Sequence, residues 1–371
     1  MKKILILAGR YLPGHKDGGP LRTLINVTDA LGDEYDFYIA CLDRDHGDTQ
    51  PYSDIKKDAW NQVGKAKVWY VSPGGFTDKL LLKLAAKVDL IYLCSFYDDY
   101  GYKTLILKKS GKISCPVVLA SMGVFSKGAL SHKALKKKVF INGCKAFGLF
   151  KGITWSVTSE LEAEDVKREI GKNIRYIIAE DLPRTTIPGY TQRKEPFSVV
   201  FLSRICPQKN LLVAIKILKS VKANVRFYIY GPDQDKEYWK LCKKELETLP
   251  SNITWTYCGD VSSEDVQSKL AQHDVFLLPT MGENYGHVIF EALSVGCIPV
   301  ISDQTPWNEI KEKNAGFVFP LSQLDDFDRA IDMVAQMNPT DREKMAQNAV
   351  QVAIDKVEKN RNETGYRKIF G

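Results

Sequence analysis

Val275-Phe276-Leu277-Leu278-Pro279-Thr280-Met281-Gly282-Glu283-Asn284-Tyr285-Gly286-His287-Val288-Ile289-Phe290-Glu291-Ala292-Leu293 reads as a strand, a glycine-containing turn and a helix in succession. The first four residues are an apolar run of buried-strand type. A second such run, Ile298-Pro299-Val300-Ile301, follows Gly296. Between the two runs a helix opens at Gly286. Free backbone N–H groups at such a helix start point at whatever docks there, which makes an anion site. Glu283 stands in the loop before the helix and Glu291 within it. Two carboxylates beside an anion site suit a ligand with both phosphate and hydroxyl groups, such as a nucleotide-sugar.

The strand-then-helix rhythm extends along the chain. Short apolar, β-branched runs at 4–8, 37–41, 67–71, 90–93, 116–120, 153–157 and 174–178 alternate with longer amphipathic segments. A second series follows at 198–202, 225–230, 253–257, 275–278, 298–301 and 316–319. Alternation of this kind specifies parallel sheets with crossover helices, an α/β class of fold. The rhythm breaks once, over 179–196, where Pro183, Pro188 and Pro196 interrupt any helical period. That break is a linker. Two doubly wound, Rossmann-like domains are therefore expected, over 1–185 and 196–355. Residues 356–371 read as a helical segment packing back on the first domain. In such sheets ligands bind beyond the carboxyl ends of the strands. Two domains facing each other would line a cleft with those loops.

A chain of 371 residues exceeds the size of one ordinary core, in keeping with two domains. With 44% hydrophobic and 26% charged residues it has the composition of a soluble globular protein. The net charge of +7 permits phosphate or anionic surfaces as partners without demanding them. The eight cysteines are scattered with no C-x-x-C pair, which points to reduced thiols and a cytoplasmic location. No stretch is apolar enough to span a bilayer, and the N-terminal apolar run is too short for a signal peptide.

Three loops after strands have the composition for chemistry. Gly9 to Pro20 ends in Gly18-Gly19 at a helix start, where a backbone can approach a phosphate or sugar closely. It lacks the dinucleotide pattern G-x-G-x-x-G. A flexible surface loop is the competing reading. In Leu202-Ser203-Arg204-Ile205-Cys206-Pro207-Gln208-Lys209-Asn210, two cations sit where a helix begins. Cations oppose the helix dipole there unless an anion is present. Arg204 and Lys209 therefore suit a diphosphate that gains charge on leaving. The third loop is the opening stretch. Glu291 shares a helix face with His287 and Val288, and its neighbours Ile289, Phe290, Ala292 and Leu293 are apolar. A ligand-binding carboxylate accounts for it better than a solvated face does.

Glu283 and Glu291, with seven residues between them, resemble the E-x7-E motif of retaining GT-B glycosyltransferases of the group 1 type. The run from Gly286 to Ile301 is similar to the same family. Ser203-Arg204 with Lys209 resembles its Gly-Arg…Lys loop, with serine in place of glycine. Gly18-Gly19-Pro20 resembles its N-terminal glycine loop. Asp303-Gln304-Thr305-Pro306-Trp307 is similar to members that build bacterial surface polysaccharides. The resemblance implies a GT-B fold with an acceptor-binding N-terminal and a donor-binding C-terminal domain. It implies transfer, with retention, of a hexose-type sugar from a nucleotide-sugar, a UDP-sugar first and GDP-mannose next. The acceptor implied is a growing, lipid-linked glycan.

It also implies roles. Arg204 and Lys209 would hold the diphosphate, Glu291 the ribose and Glu283 the transferred sugar. Glu283, Arg204 and Lys209 would be the catalytic set. Asn284, Tyr285 and the backbone of Gly286, His287 and Val288 would complete the donor site, with base contacts near Tyr230 and Gly259. Gly18 and Gly19 would close over the pyrophosphate. Many members carry a histidine after an N-terminal strand. Here those loops read Cys94-Ser95-Phe96-Tyr97-Asp98-Asp99 and Ser121-Met122-Gly123-Val124, without one. Asp98, Asp99 and Ser121 are the acceptor-side candidates, Asp98 and Asp99 equally readable as helix caps. His15 and His132 read as loop or surface residues. A GT-B epimerase and a non-catalytic nucleotide-sugar-binding protein remain alternatives, distinguished by product and by turnover.

No metal or other cofactor is expected. Asp43-Arg44-Asp45 and Asp233-Gln234-Asp235 have the D-x-D spacing but read as turn and cap residues. Residues 129–150 read as a basic amphipathic helix, with Lys133, Lys136, Lys137, Lys138 and Lys145 beside Leu130, Leu135, Val139, Phe140, Phe147 and Leu149. Such a helix can lie on an anionic membrane, at the inner face of the plasma membrane in this case, or can be a solvated face over a core stripe. Nucleic acid is not an expected partner, because no stacking aromatics interleave the basic residues.

Overall fold

A computed structural model of the chain describes residues 1–125, 134–193 and 196–371. His132, Leu130 and Lys133 of the basic segment lie outside the described residues. The chain divides into one unit of residues 1–182 with 360–371 and a second of residues 183–359.

The first unit is built on eight strands: β1 (Lys2–Leu7), β2 (Tyr35–Leu42), β3 (Trp60–Val63), β4 (Ala66–Val71), β5 (Leu90–Leu93), β6 (Val117–Ala120), β7 (Thr154–Val157) and β8 (Arg175–Ile178). Their spatial order is β3-β4-β2-β1-β5-β6-β7-β8. Only the β3–β4 pairing is antiparallel. β3 departs from the expected strand set. It is a short, half-exposed hairpin strand without the apolar run that marks the others. Helices α1 (Gly19–Leu31), α2 (Asp78–Ala85), α3 (Asp99–Lys109), α4 (Ala134–Ala146) and α5 (Glu160–Ile170) lie between strands. At the end of the chain, Phe370 packs its ring against Tyr35, Phe37 and Tyr92 of this unit.

The second unit has six strands: β9 (Ser198–Leu202), β10 (Val225–Tyr230), β11 (Ile253–Gly259), β12 (Val275–Leu278), β13 (Ile298–Ser302) and β14 (Phe317–Phe319). Their order is β11-β10-β9-β12-β13-β14 and all pairings are parallel. Its helices are α6 (Leu211–Leu218), α7 (Lys236–Leu246), α8 (Val266–Leu270), α9 (His287–Ser294), α10 (Leu324–Gln336) and most of α11 (Pro339–Glu363); the end of α11 from Asn360 and α12 (Gly365–Phe370) belong to the first unit. β9, β12 and β13 are buried along their whole length. That is why they read as unbroken apolar runs rather than alternating ones. Phe201, Phe227 and Phe276 are fully buried here, each contributing about 1.5–3 kcal/mol by leaving water.

Strand order places the loops that matter. In the first sheet the chain runs outward from β1 through β2, then returns to the other side of β1 at β5. In the second it runs from β9 through β10 and β11, then returns beside β9 at β12. At such a switch point the loops leaving the two central strands diverge and open a crevice. Residues 203–210 and 279–286 flank the crevice of the second sheet. Residues 8–18 and 94–98 flank that of the first.

Candidate donor-binding site

The two loops at the second switch point are fastened to each other. The Met281 N–H donates to the Gln208 carbonyl at 2.8 Å, and the Asn210 side-chain amide to the Pro279 carbonyl at 2.9 Å. Gln208 returns a bond to the Gly282 carbonyl at 3.2 Å. Asn210 turns the chain through the left-handed region, φ 65°, and α6 starts on the next residue. Glu283 is positioned from a third side, its N–H donating to the Gln304 carbonyl at 3.0 Å.

This fastening brings Lys209 Nζ to 2.5 Å from Glu283 Oε1, with side chains 13% and 9% exposed. Two charges so far removed from water are costly unless paired, and their pairing joins the two loops. Arg204 is exposed and has no ionic partner among the described residues. Its loop is held from behind. The Ser203 N–H donates to the Tyr230 carbonyl at 3.1 Å, and the Ile205 N–H to the Pro232 carbonyl at 3.1 Å. Gly231 makes that approach feasible. Its φ is 133°, and a Cβ there would lie 1.9 Å from the Ser203 carbonyl oxygen. The Gly231 N–H donates in turn to the Gly259 carbonyl at 2.7 Å. The loops after β9, β10 and β11 thus form one hydrogen-bonded rim.

Helix α9 starts at this rim. Gly286, φ 78° and ψ 57°, is its N-cap and supplies no side-chain acceptor. The first turn of the helix therefore has no cap from the side chain of its N-cap residue. A Cβ on Gly286 would sit 2.9 Å from Ile289 Cδ1, so the αL turn and the packing both call for glycine. Tyr285 is buried with its carbonyl accepting from Trp307 Nε1 at 2.5 Å, which fixes the turn. Asn284 is exposed beside it.

Glu291 is one turn further on and only 5% exposed. Arg184 Nε stands 3.6 Å from its Oε1. Arg184 lies in the segment read from the sequence only as a linker. Its other nitrogens donate to Gln267 Oε1 at 3.3 Å and to the Ser263 carbonyl. Gln267 also donates to Ser294 Oγ at 2.9 Å, and Ser294 Oγ to the Glu291 carbonyl at 2.8 Å. Arg184 and Gly231 went unnoticed in sequence because their partners are remote in the chain. Among the several charges of the break, nothing in the sequence singled out Arg184.

The remaining expected residues are in the first unit. Gly18, φ 64°, and Gly19 are exposed at the start of α1, and a Cβ on either would meet nothing within 4 Å. Only the φ of Gly18 calls for glycine. Their loop is fixed by Asp45, whose carboxylate accepts from the His15 N–H at 2.8 Å and the Lys16 N–H at 3.2 Å. Burial pushes the Asp45 pKa up, but the N–H groups of His15, His46 and Lys16 outweigh it and bring it below the ordinary range. His15 Nδ1 is 3.4 Å from the same carboxylate. Asp43 pairs with Arg44 at 2.8 Å and accepts from Ser72 Oγ at 2.7 Å. Asp235 caps α7 and Asp233 pairs with Lys236 at 2.8 Å. Both D-x-D sequences are occupied in turn and cap duties. Among the described residues no three His, Cys, Asp or Glu are grouped to hold a metal.

Asp98 occupies the N-cap position of α3 without a side-chain cap bond, accepting instead from the Tyr100 hydroxyl at 3.2 Å. Asp99 is exposed and lies 3.4 Å from Lys103. Ser121 is fully buried and its hydroxyl donates to the Ser156 carbonyl at 3.2 Å. The acceptor-side expectation at Ser121 thus has no exposed hydroxyl to rest on, whereas both aspartates are open to solvent.

The family model "Glycosyl transferases group 1" matches residues 184–352. The sulfoquinovosyl transferase of Arabidopsis thaliana is 29% identical over 140 residues, 34% of this chain and 24% of that protein. The chain thus aligns with about a quarter of the length of this curated relative. Among solved structures, Anabaena HepE in complex with UDP and glucose superposes with a TM-score of 0.70 at 16% identity, covering 96% of each chain. Sucrose-phosphate synthase from Thermosynechococcus elongatus superposes with a TM-score of 0.72 at 14% identity, covering 100% of this chain and 99% of the other. Residues 184–352 thus resemble the glycosyl transferases group 1 family, and the chain as a whole has the two-domain fold of the GT-B glycosyltransferases.

Proposed function

We propose that this protein is a retaining glycosyltransferase that moves a hexose-type sugar from a nucleotide-sugar to a lipid-linked glycan. The observation that carries the reading is the second switch point. There a covered Lys209–Glu283 pair, an exposed Arg204 and the uncapped start of α9 surround one crevice. In this reading the donor diphosphate lies between Arg204, Lys209 and the α9 N–H groups, and Glu291 accepts the ribose hydroxyls. Glu283 faces the sugar. The bond between C1 and the phosphate oxygen breaks, the acceptor oxygen bonds to C1 on the same face, and its proton passes to the departing phosphate. Charge grows on that phosphate only as the bond breaks, so the cations act on the transition state more than on the bound donor. The residues themselves supply that charge, and activity is expected to persist in EDTA.

UDP is the favoured nucleotide, supported by HepE, whose solved structure holds UDP; GDP-mannose is the runner-up. A thermal-shift screen against nucleotide-sugars tests this, since a ligand of the native state raises its apparent stability. A UDP-sugar shift with no release of UDP in the presence of glycan acceptors would favour a non-catalytic binder. An epimerised sugar as product would favour an epimerase. Arg204→Ala should lower turnover more than donor affinity, and equal losses would count against leaving-group stabilisation.

The lipid-linked acceptor is supported by helix α4 and the turn after it. Leu135, Val139 and Phe147 are strongly exposed beside Lys136, Lys138 and Lys145. Among the described residues no helix is long and apolar enough to cross a membrane. Peripheral contact is therefore the proposed mode, with about 1 kcal/mol from each lysine at an anionic surface. Sedimentation with phosphatidylglycerol vesicles but not phosphatidylcholine vesicles is expected; equal behaviour with both would remove this part of the reading.

A further inference from the structure

Arg184 is the first charged residue of the second unit and sits in a segment without regular secondary structure. The segment is nonetheless fastened. The Thr186 carbonyl accepts from Gln267 Nε2 at 3.1 Å, and the Gly189 N–H donates to the Ser294 carbonyl at 3.1 Å. Two of the three guanidinium nitrogens are committed to fixed acceptors, Gln267 Oε1 and the Ser263 carbonyl. The third, Nε, is turned to Glu291 Oε1 at 3.6 Å, with side chains 19% and 6% exposed.

That arrangement differs from an ordinary Arg–carboxylate fork. At 3.6 Å the contact is ionic but too long for a hydrogen bond. A bidentate fork would spend both carboxylate oxygens on the guanidinium. Here Arg184 contributes charge while its own donors are engaged elsewhere. Glu291 needs such a charge, because a carboxylate so deeply covered is costly without a counter-ion. Gln267 completes the connection, since it binds Arg184 on one side and Ser294, on Glu291's own helix, on the other.

We infer that Arg184 is a positioning residue that holds Glu291 charged and oriented toward the ribose hydroxyls, and so sets the preference for ribose over 2′-deoxyribose in the donor. The inference rests on the proposed role of Glu291. A vicinal diol donates to a carboxylate most strongly when the carboxylate is ionised. Loss of the fixed counter-ion removes that advantage for the ribose form and leaves diphosphate contacts untouched.

The test is calorimetric titration of UDP-glucose and its 2′-deoxyuridine counterpart into wild type, Arg184→Gln, Arg184→Lys and Glu291→Gln, with melting curves as a check on folding. Wild type should favour the ribose form about tenfold or more. Arg184→Gln should lose about five- to tenfold on the ribose form and stay within twofold on the deoxy form. Arg184→Lys, which keeps a charge without the bonds to Gln267 and Ser263, should retain part of the preference. Equal weakening of both ligands by Arg184→Gln would mean a merely structural role and overturn the inference, as would no change in either. If Arg184→Gln does not fold, Arg184→Lys decides: a preference cut about threefold supports the inference and an unchanged one overturns it. Glu291→Gln separates the two levels. A preference that survives it removes the ribose reading and this inference together. A preference that it abolishes while the Arg184 variants keep it removes the Arg184 inference alone.

Discussion

The loops leaving β9 and β12 and the loops leaving β1 and β5 hold the same topological position in their two sheets, yet they are built differently. At the second switch point the two loops bind each other, backbone to backbone and through Lys209–Glu283. At the first, the loop after β1 is bound sideways to the loop after β2 through Asp45, and Asp98 and Asp99 are left to solvent. One pair of loops is cross-bonded and carries a covered ion pair. The other has a fixed glycine loop and open carboxylates, with no cation–carboxylate pair covered to the same degree. A site for an invariant diphosphate benefits from preorganised charge. A site for an acceptor that differs among transferases needs only shape and a few hydroxyl contacts.

Lys209→Ala should break this contrast most strongly. It removes a charge from the proposed diphosphate site and leaves Glu283 covered without Lys209. Turnover should fall about 10²–10³-fold, and the second unit should lose about 3 kcal/mol by denaturant unfolding. Asp98→Ala should do neither. Gly231→Ala comes next. Its Cβ would meet the Ser203 carbonyl, so the rim carrying Arg204 must shift. A loss of about 2 kcal/mol in stability with weaker donor binding is expected by melting and titration; wild-type behaviour would show that the close approach is dispensable.

A smaller effect separates the two units by pH. Burial lowers the His273 pKa to about 4, with Arg193 and Lys269 adding to the shift. The unfolded chain protonates this histidine near 6.5 while the native one does not, so the second unit loses stability as pH falls from about 6.5 to 4. Asp181, in the first unit, goes the other way. Burial raises its pKa to about 7 against the lowering bond from Thr23. Its native form holds a proton that the unfolded form releases near 3.9, so the first unit loses stability as pH rises from about 4 to 7. Calorimetry across this range should show the opposite slopes. His273→Gln should flatten only the acid-going loss and Asp181→Asn only the other. Parallel slopes in both units would contradict the assignment.

Most of the fold was readable from the chain because parallel strands buried on both faces leave continuous apolar runs. β3 escaped because a half-exposed hairpin strand leaves none. The proposed donor loop was readable as a loop because strand, turn and helix start are contiguous in sequence around Glu283 and Gly286. Arg184, Gly231 and Gln267 were not, because each is defined by an atom far along the chain: Glu291 Oε1, the Ser203 carbonyl and Ser294 Oγ. The acceptor side stayed open for a physical reason. Asp98 and Asp99 are exposed but bond to Tyr100, Tyr102 and Lys103 of their own helix, and Ser121 clasps the Ser156 carbonyl, so the contacts of none of the three mark an acceptor.

The most decisive measurement is titration of UDP into wild type, Glu291→Ala and Asp98→Ala under one buffer. UDP should bind wild type, lose about tenfold or more with Glu291→Ala and remain unaffected by Asp98→Ala. Affinity unchanged in Glu291→Ala but reduced in Asp98→Ala would place the nucleotide at the first sheet and contradict the account.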